Sequence, residues 1–229
     1  MQYQTKLMKK FCLLAGVATL LVLASCQKEM SVESVNNGNT PGAGGNNDYQ
    51  PVSAGSEWEY SSLILGDYTI KSLGSDSMIN GIRYYKFDNI HSLGISLVYI
   101  NKDNGIYRQA TRTVFGGQWA EVISLKDAAV GTTWTNTITS QGINSYHKYT
   151  VAARDIQHTV NGKTYSPVIE LDYEYLIDDL MGGGSTPVSI GSGKTFVAKG
   201  VGSIESYYTA DMFGLPLVDS VYLISSVIR

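Results

Sequence analysis

The ten residues Val168–Ile177 read VIELDYEYLI, and their alternation decides the fold class. Apolar or aromatic side chains occupy positions 169, 171, 173, 175 and 177, whereas acids occupy Glu170, Asp172 and Glu174. Successive side chains of a β-strand point to opposite faces of a sheet. This period of two therefore predicts a strand with one buried and one solvated face.

The same signals continue outward from this stretch. Tight-turn dipeptides recur along the chain, at Asn80-Gly81, Asn104-Gly105, Gly116-Gly117 and Asn161-Gly162, and such pairs are typical of β-hairpins. The 229 residues include only five prolines, and no long stretch keeps a helical period. These patterns predict one all-β, mostly antiparallel domain over residues 49–229.

An internal repeat indicates how the strands are arranged. The pattern Gly-x-x-Trp occurs at Gly55–Trp58 and again at Gly131–Trp134. Each copy leads to an Asn-Gly turn followed by a tyrosine, at Asn80–Tyr84 and at Asn161–Tyr165. We interpret them as two degenerate β-meander repeats that pair into a strongly curved sheet or open β-barrel, either as one sheet or as two subdomains. The predicted half-repeats cover about 55–115 and 131–229.

The first 25 residues have the composition of an export signal. Lys6, Lys9 and Lys10 precede the apolar run Phe11–Ala24, whose 14 residues are fewer than the ~20 that a membrane-spanning helix needs. The true start is Met1 or Met8.

The apolar run ends in Leu23-Ala24-Ser25-Cys26, which resembles a bacterial lipobox. This resemblance implies cleavage before Cys26 and acylation of that cysteine, and several acyl chains together give a stable membrane anchor. It divides the chain into a signal peptide over 1–25, a lipidated flexible tether over 26–48 and the β-domain. A buried helix or a secretory signal cut at another site is the alternative.

Cleavage also limits the chemistry of the mature chain. Cys12 leaves with the signal peptide and Cys26 carries lipid, so no thiol remains for a disulfide, a metal site or a nucleophile. Loss of Lys6, Lys9 and Lys10 leaves 14 basic against 20 acidic residues, a net charge near −6. An acidic chain without basic runs predicts no binding of nucleic acid.

Short motifs connect the chain to a known group of proteins. Cys26–Glu29 is similar to the start of surface-exposed Bacteroidetes lipoproteins, which implies an outer-membrane location, at the cell surface or on the periplasmic face. The Ala-Lys-Gly-Val-Gly run within Lys194–Glu205, the pattern Gly-x-x-Trp-x-Tyr from Gly55 to Tyr60, and Val160–Tyr165 resemble a family of uncharacterised Bacteroidetes lipoproteins. The family has no established activity, and its similarity to the half-barrels of lipoprotein carriers concerns shape alone.

Two charged motifs are candidate ligand sites. Gly191–Thr195 is similar to a phosphate loop, but Val188 stands where that motif needs a glycine, so we predict a hairpin loop from about Asp178 to Gly193. Glu170, Asp172 and Glu174 offer oxygen ligands to Ca²⁺, although alternating acids on a strand are more typical of a solvated face. We predict no metal site and no cofactor.

Catalytic residues do not stand out from the sequence. His91, His147 and His158 lack metal-ligand spacing, and no Gly-x-Ser-x-Gly elbow occurs. A glycosidase pair is recognised by its separation in space, which the sequence does not give. We therefore predict a non-enzymatic protein, with a hydrolase as the alternative. His147 and Tyr149 share one face of their strand, for which a surface role is expected.

The 16 tyrosines and three tryptophans are the remaining candidates. Trp58 and Trp134 hold equivalent places in the repeat and are expected to be paired core anchors. Tyrosine suits sites with one apolar and one wet side, and we predict Trp119, Tyr207 and Tyr208 as ligand-binding residues.

The predicted function is an outer-membrane-anchored lipoprotein that binds an apolar ligand or lipoprotein-like cargo without catalysis. The alternative is cell-surface glycan binding, adhesion or a partner scaffold in the envelope. Its expected partners are the membrane, through lipid on Cys26, and an apolar small molecule, a glycan or an envelope protein.

Overall fold

Twelve β-strands make up the regular structure of the described residues, which are 48–112, 117, 119–140, 142–178, 186–212 and 215–229 of a computed structural model. The first six are β1 (Glu57–Ser62), β2 (Gly66–Ile79), β3 (Ile82–His91), β4 (Gly94–Asp103), β5 (Ile106–Arg112) and β6 (Trp119–Lys126). The last six are β7 (Thr133–Ser140), β8 (Ile143–Val160), β9 (Lys163–Ile177), β10 (Val188–Ala198), β11 (Gly202–Met212) and β12 (Leu215–Val227). The predicted signal peptide, Cys26 and nearly all of the tether lie outside these residues.

All twelve strands belong to one antiparallel sheet in the order β6-β5-β4-β3-β2-β1-β12-β11-β10-β9-β8-β7. The sheet curves into a nearly closed barrel, and an unsealed seam remains between its edge strands β6 and β7. Within the described ranges no helix occurs, and so none that could cross a membrane. The predicted all-β, antiparallel, open-barrel fold is confirmed, and both halves of the chain share one sheet.

Each half of the chain supplies six strands, and the two halves use the same hydrogen bonds where they begin. The Gly55 amide donates to the Ser72 carbonyl at 3.0 Å, and the Gly131 amide donates to the Val151 carbonyl at 2.8 Å. The glycines have φ of 76° and 85°, a conformation that glycine adopts without steric cost. The Gly-x-x-Trp motif therefore starts the first strand of each half with the same backbone geometry.

Each half also has a long hairpin arm that folds over the outside of the barrel. The β2–β3 arm brings Asn80 to Glu121 of β6 at 2.9 Å, and the β8–β9 arm brings Asn161 to the Leu223 carbonyl of β12 at 3.1 Å. Both asparagines precede glycine in turns with positive φ at both central residues, as a type I′ turn requires. Each arm thus reaches the last strand of its own half.

The lower interior of the barrel, at the end where the chain enters, is a packed core shared by both halves. Trp58 and Trp134 are only 1% and 7% exposed, which agrees with their predicted role as core anchors. The Trp58 indole donates to the Val201 carbonyl at 2.6 Å. Trp134 belongs to a cluster with Tyr107 and Leu125 of the first half, so side chains of the two halves pack together inside the barrel.

The seam between β6 and β7 is bridged by side chains. The Asn136 amide accepts a hydrogen bond from the Ile123 amide at 2.8 Å and donates to the Ile123 carbonyl at 3.1 Å. The Trp134 indole donates to the same carbonyl at 2.7 Å. Asn136 therefore supplies the donor and acceptor that a neighbouring strand would offer to Ile123.

One sequence prediction about the strands is wrong. The hairpin loop predicted from Asp178 to Gly193 ends earlier, because β10 begins at Val188 and pairs with β9 from that residue onward. Glycine is usually depleted in strands, so Gly191 and Gly193 led to the prediction of a loop where β10 begins.

Candidate functional site

A row of aromatic side chains crosses the inner face of the second half. Trp134, Tyr149, Tyr173, Gly193 and Tyr208 are direct neighbours on the five successive strands β7 to β11. Ring centroids are 5.4 Å apart for Trp134 and Tyr149, and 5.0 Å apart for Tyr149 and Tyr173. Tyr173 and Tyr208 meet edge to face at 5.8 Å, within the range in which aromatic pairs attract.

Gly193 makes this last contact possible. It lies between Tyr173 and Tyr208 on the sheet. A Cβ at this position would clash with the Tyr207 carbonyl oxygen and approach Tyr208 Cδ1 to 3.0 Å. Because Gly193 has no side chain, the rings of Tyr173 and Tyr208 meet across β10. The glycine that argued against a strand in the sequence therefore also shapes the site.

A cavity of about 170 Å³ lies inside the barrel beside this row. Tyr107 and Gln109 line it from the first half, and Tyr149, Ser206 and Tyr208 line it from the second. Gln109 is exposed and Tyr208 is 36% exposed although both point inward, so water reaches the inner face above the packed core. The lining offers amide and hydroxyl groups as well as aromatic rings.

Tyr208 is at the centre of this open region. Tyr208 is close enough to Tyr68, Tyr149 and Tyr173 that a negative charge on its hydroxyl would raise the pKa of each of them. Burial is the main cause of their raised pKa values, so these hydroxyls stay protonated at neutral pH. We call Tyr68, Tyr149, Tyr173 and Tyr208, with the cavity beside them, the tyrosine cup.

Two polar side chains border the tyrosine cup. Asp219 is paired with Tyr208 on the next strand and accepts a hydrogen bond from the Ser62 hydroxyl at 3.0 Å. Burial lowers the pKa of His147 to about 4, so this ring is neutral at pH 7. Its Nδ1 lies 2.9 Å from the Tyr173 hydroxyl, and its buried Nε2 has no partner among the described residues. The surface role expected for His147 and Tyr149 is wrong, because both belong to the inner wall.

The three predicted ligand-binding residues do not form one site. Tyr208 belongs to the tyrosine cup, whereas its neighbour Tyr207 is on the outer face, 6.0 Å from Phe196. Trp119 is also on the outer face, at the edge strand β6, where it is half-buried between Tyr99 and Arg112.

The three acids of the stripe on β9 form ion pairs with two lysines of the adjacent strands. Lys194 pairs with Glu170 and lies 3.4 Å from Asp172, while Lys148 lies 3.0 Å from Glu174. Carboxylates engaged in cross-strand ion pairs are less available to Ca²⁺. Within the described part of the chain, no three metal-ligating side chains cluster.

A second depression, of about 460 Å³, lies on the outer surface near the chain end. Ala54, Gly55, Glu57, Lys71, Val227 and Arg229 line it. It is shallow and holds one surface ion pair, Lys71 with Glu57 at 3.6 Å. The tyrosine cup is the better candidate site, because its groups converge inside the barrel.

Sequence reasoning predicted Tyr208 of the tyrosine cup as a ligand-binding residue and missed the other three. The alternation in Val168–Ile177 placed Tyr173 on the buried face, but membership of a site depends on Tyr68 and Tyr149 coming from distant strands. The signal available in the sequence was the presence of polar-tipped tyrosines, where aliphatic residues fill an ordinary core.

Comparison with known proteins supports the architecture. No protein-family model and no curated protein matches the chain. Among solved structures, the chain is similar to a proposed lipoprotein from Parabacteroides distasonis, a member of the Bacteroidetes, with a TM-score of 0.51 at 9% identity. The match covers 79% of this chain and 99% of that one. At this identity the similarity shows the fold alone.

Proposed function

We propose that this protein is a non-catalytic binding module, anchored to the outer membrane by lipid on Cys26, that holds a polar ligand with flat faces in the tyrosine cup. A glycan residue fits this description. The observation that carries the proposal is the row from Tyr149 through Tyr173 to Tyr208 beside an open cavity. Tyrosine rings contact the apolar faces of a sugar, and their hydroxyls bond its rim.

The polar lining favours a glycan over apolar cargo. Gln109, Thr195, Ser203 and Ser206 line the cavity. The Ser206 hydroxyl already donates to Thr195 at 3.2 Å, but an apolar ligand would remove the exposed Gln109 amide from water without offering it a hydrogen bond, at a cost of about 1–3 kcal/mol. A volume of about 170 Å³ is also below the ~300–1,000 Å³ typical of sites for drug-sized ligands. One sugar unit of a longer chain is a better match than a whole lipid.

A glycan array tests this assignment. The mature protein carrying Cys26→Ser, and therefore no acyl chain, is applied to an array of bacterial and host glycans. We expect binding to a restricted set, with a fluorescent fatty acid failing to compete. No signal on the array would contradict glycan binding, and displacement by the fatty acid would restore the apolar-ligand hypothesis.

The proposed anchor has a separate test. Cells expressing the full chain are fractionated and compared with cells expressing Cys26→Ser. The natural protein is expected in the outer-membrane fraction, accessible to added protease on intact cells, and the variant in soluble fractions. Serine preserves the size of the side chain but removes the thiol that accepts lipid. Retention of the variant in the outer-membrane fraction would show that lipid on Cys26 is not the anchor.

A further inference from the structure

The two ends of the barrel carry different kinds of turns. The polar Asn80-Gly81 and Asn161-Gly162 turns close the arms that fold over the outside of the barrel. The polar Asn104-Gly105 turn lies at one end of the barrel. At the opposite end the β1–β2 and β3–β4 hairpins carry Leu63, which is 70% exposed, and Leu93, which is 69% exposed. Aliphatic side chains as exposed as these gain little packing energy within the domain, so this end has a feature that the fold does not explain.

These tips are adjacent, and further exposed apolar side chains lie beside them. Because β2 pairs with β3, the β1–β2 and β3–β4 tips lie side by side. Ile90 and Ile95 are direct cross-strand partners below the second tip. We call Leu63, Ile64, Ile90, Leu93, Ile95 and Leu97 the apolar rim, and each of them is between 38% and 70% exposed. A group of exposed apolar side chains of this kind marks an interaction site.

We infer that the apolar rim docks on a lipid bilayer with little surface charge. Its aliphatic side chains project from hairpin tips, as residues that enter the interface between headgroups and acyl chains do. No lysine or arginine occurs in 62–67 or in 90–97, whereas Asp67 lies in the first range and Asp88 is the cross-strand partner of Leu97. Attraction to anionic lipid is therefore absent, and apolar burial is the driving force.

The chain outside the structure is long enough for this contact. Asp48 lies at the polar end, where it accepts a hydrogen bond from Tyr107 at 2.7 Å and from the Gly200 amide at 2.7 Å. The 21 residues between Cys26 and Asp48 reach at most about 75 Å. The 14 residues of β2 span about 46 Å. The rim can thus meet the bilayer that holds Cys26; this step alone rests on the proposed lipid anchor.

Vesicle co-sedimentation tests the inference without the anchor. The mature chain with Cys26→Ser is mixed with phosphatidylcholine vesicles, and its partition coefficient is measured. Leu63→Ser and Leu93→Ser are each expected to lower that coefficient about tenfold. Met78→Ser is the matched control, because Met78 is 66% exposed on the β2–β3 arm, near the polar Asn80-Gly81 turn. It should leave the coefficient unchanged.

Lipid charge, salt and a variant of the tyrosine cup give further tests of bilayer docking. Adding phosphatidylglycerol or 0.5 M salt should not strengthen or weaken binding, since the contact is not electrostatic. Tyr208→Ala should bind vesicles like the parent, so failure of glycan binding and failure of docking are distinguishable. The inference would be overturned by absence of vesicle binding or by a need for anionic lipid. It would also be overturned if Leu63→Ser, Leu93→Ser and Met78→Ser lowered the partition coefficient equally, or if Leu93→Ser changed self-association alone.

Discussion

Tyr207 and Tyr208 show how one position along a strand changes a residue's role. Their exposed fractions are 37% and 36%, yet one ring packs on Phe196 outside the barrel and the other on Tyr173 inside it. On the outer face, burial raises the pKa of Tyr207 to about 12. Only the inner ring adjoins the cavity. At the scale of single residues, the proposed function therefore depends on which face of β11 a side chain occupies.

His147 carries a pH prediction at the same scale. Burial lowers its pKa to about 4 from 6.5. Between these pH values the unfolded chain binds a proton that the folded chain does not, so stability falls as pH falls from 6.5 to 4. The expected loss is about 1–3 kcal/mol, since the ring is partly exposed. His147→Gln should show a smaller loss in free energy of unfolding between pH 7 and 4.5, measured with guanidinium chloride.

His91→Gln is the control for this measurement. His91 lies at the β3–β4 hairpin, where its Nδ1 accepts a hydrogen bond from the Leu93 amide at 3.2 Å. Both substitutions remove one imidazole and leave every carboxylate in place, so the difference between the two variants isolates the contribution of His147. If His147→Gln lost as much stability as the parent on acidification, His147 would not be held neutral by the fold.

At the scale of elements, the seam between β6 and β7 depends on Asn136. Edge strands present unpaired backbone groups. At Ile123 the amide is satisfied by this side chain, and the carbonyl by this side chain together with the Trp134 indole. Because Asn136 is only 9% exposed, its removal would leave the Ile123 amide and carbonyl partly buried without full pairing. The seam is the place where the sheet is expected to open first.

Asn136→Ala should therefore destabilise the domain by about 1–3 kcal/mol and speed hydrogen exchange at the Ile123 amide. Thr135→Ala, next to it on the exposed face of β7, is the matched control and should change neither quantity. Denaturant unfolding and native-state hydrogen exchange measure the two effects. Unchanged exchange at Ile123 in Asn136→Ala would show that the seam does not rely on this amide.

At the scale of the whole molecule, local patterns predicted more of the fold than of the site. The alternation in Val168–Ile177 and the turns at Asn80-Gly81 and Asn161-Gly162 are determined by neighbouring residues, so strands and hairpins followed from them. The repeat of Gly-x-x-Trp further indicated two similar halves. The first part of β10, with Gly191 and Gly193, was not predicted as a strand, because its conformation is imposed by packing against β11.

The tyrosine cup and the seam could not be predicted for a different reason. Tyr68 and Tyr208 are 140 positions apart in sequence, and they approach only because β1 pairs with β12 and closes the two halves into one sheet. Asn136 contacts Ile123 because the barrel stops short of closure. Both features depend on the global curvature of the sheet, which no short segment encodes.

The central claim is that ligand binds inside the barrel, and the most direct measurement compares Tyr208→Ala with Tyr207→Ala. Isothermal titration of the mature Cys26→Ser protein with the strongest glycan from the array gives Kd for each. Loss of the inner ring is expected to weaken binding about tenfold, or ~1.4 kcal/mol, and loss of the outer ring to change it less than twofold. Equal weakening, or a larger effect of Tyr207→Ala, would contradict binding in the tyrosine cup.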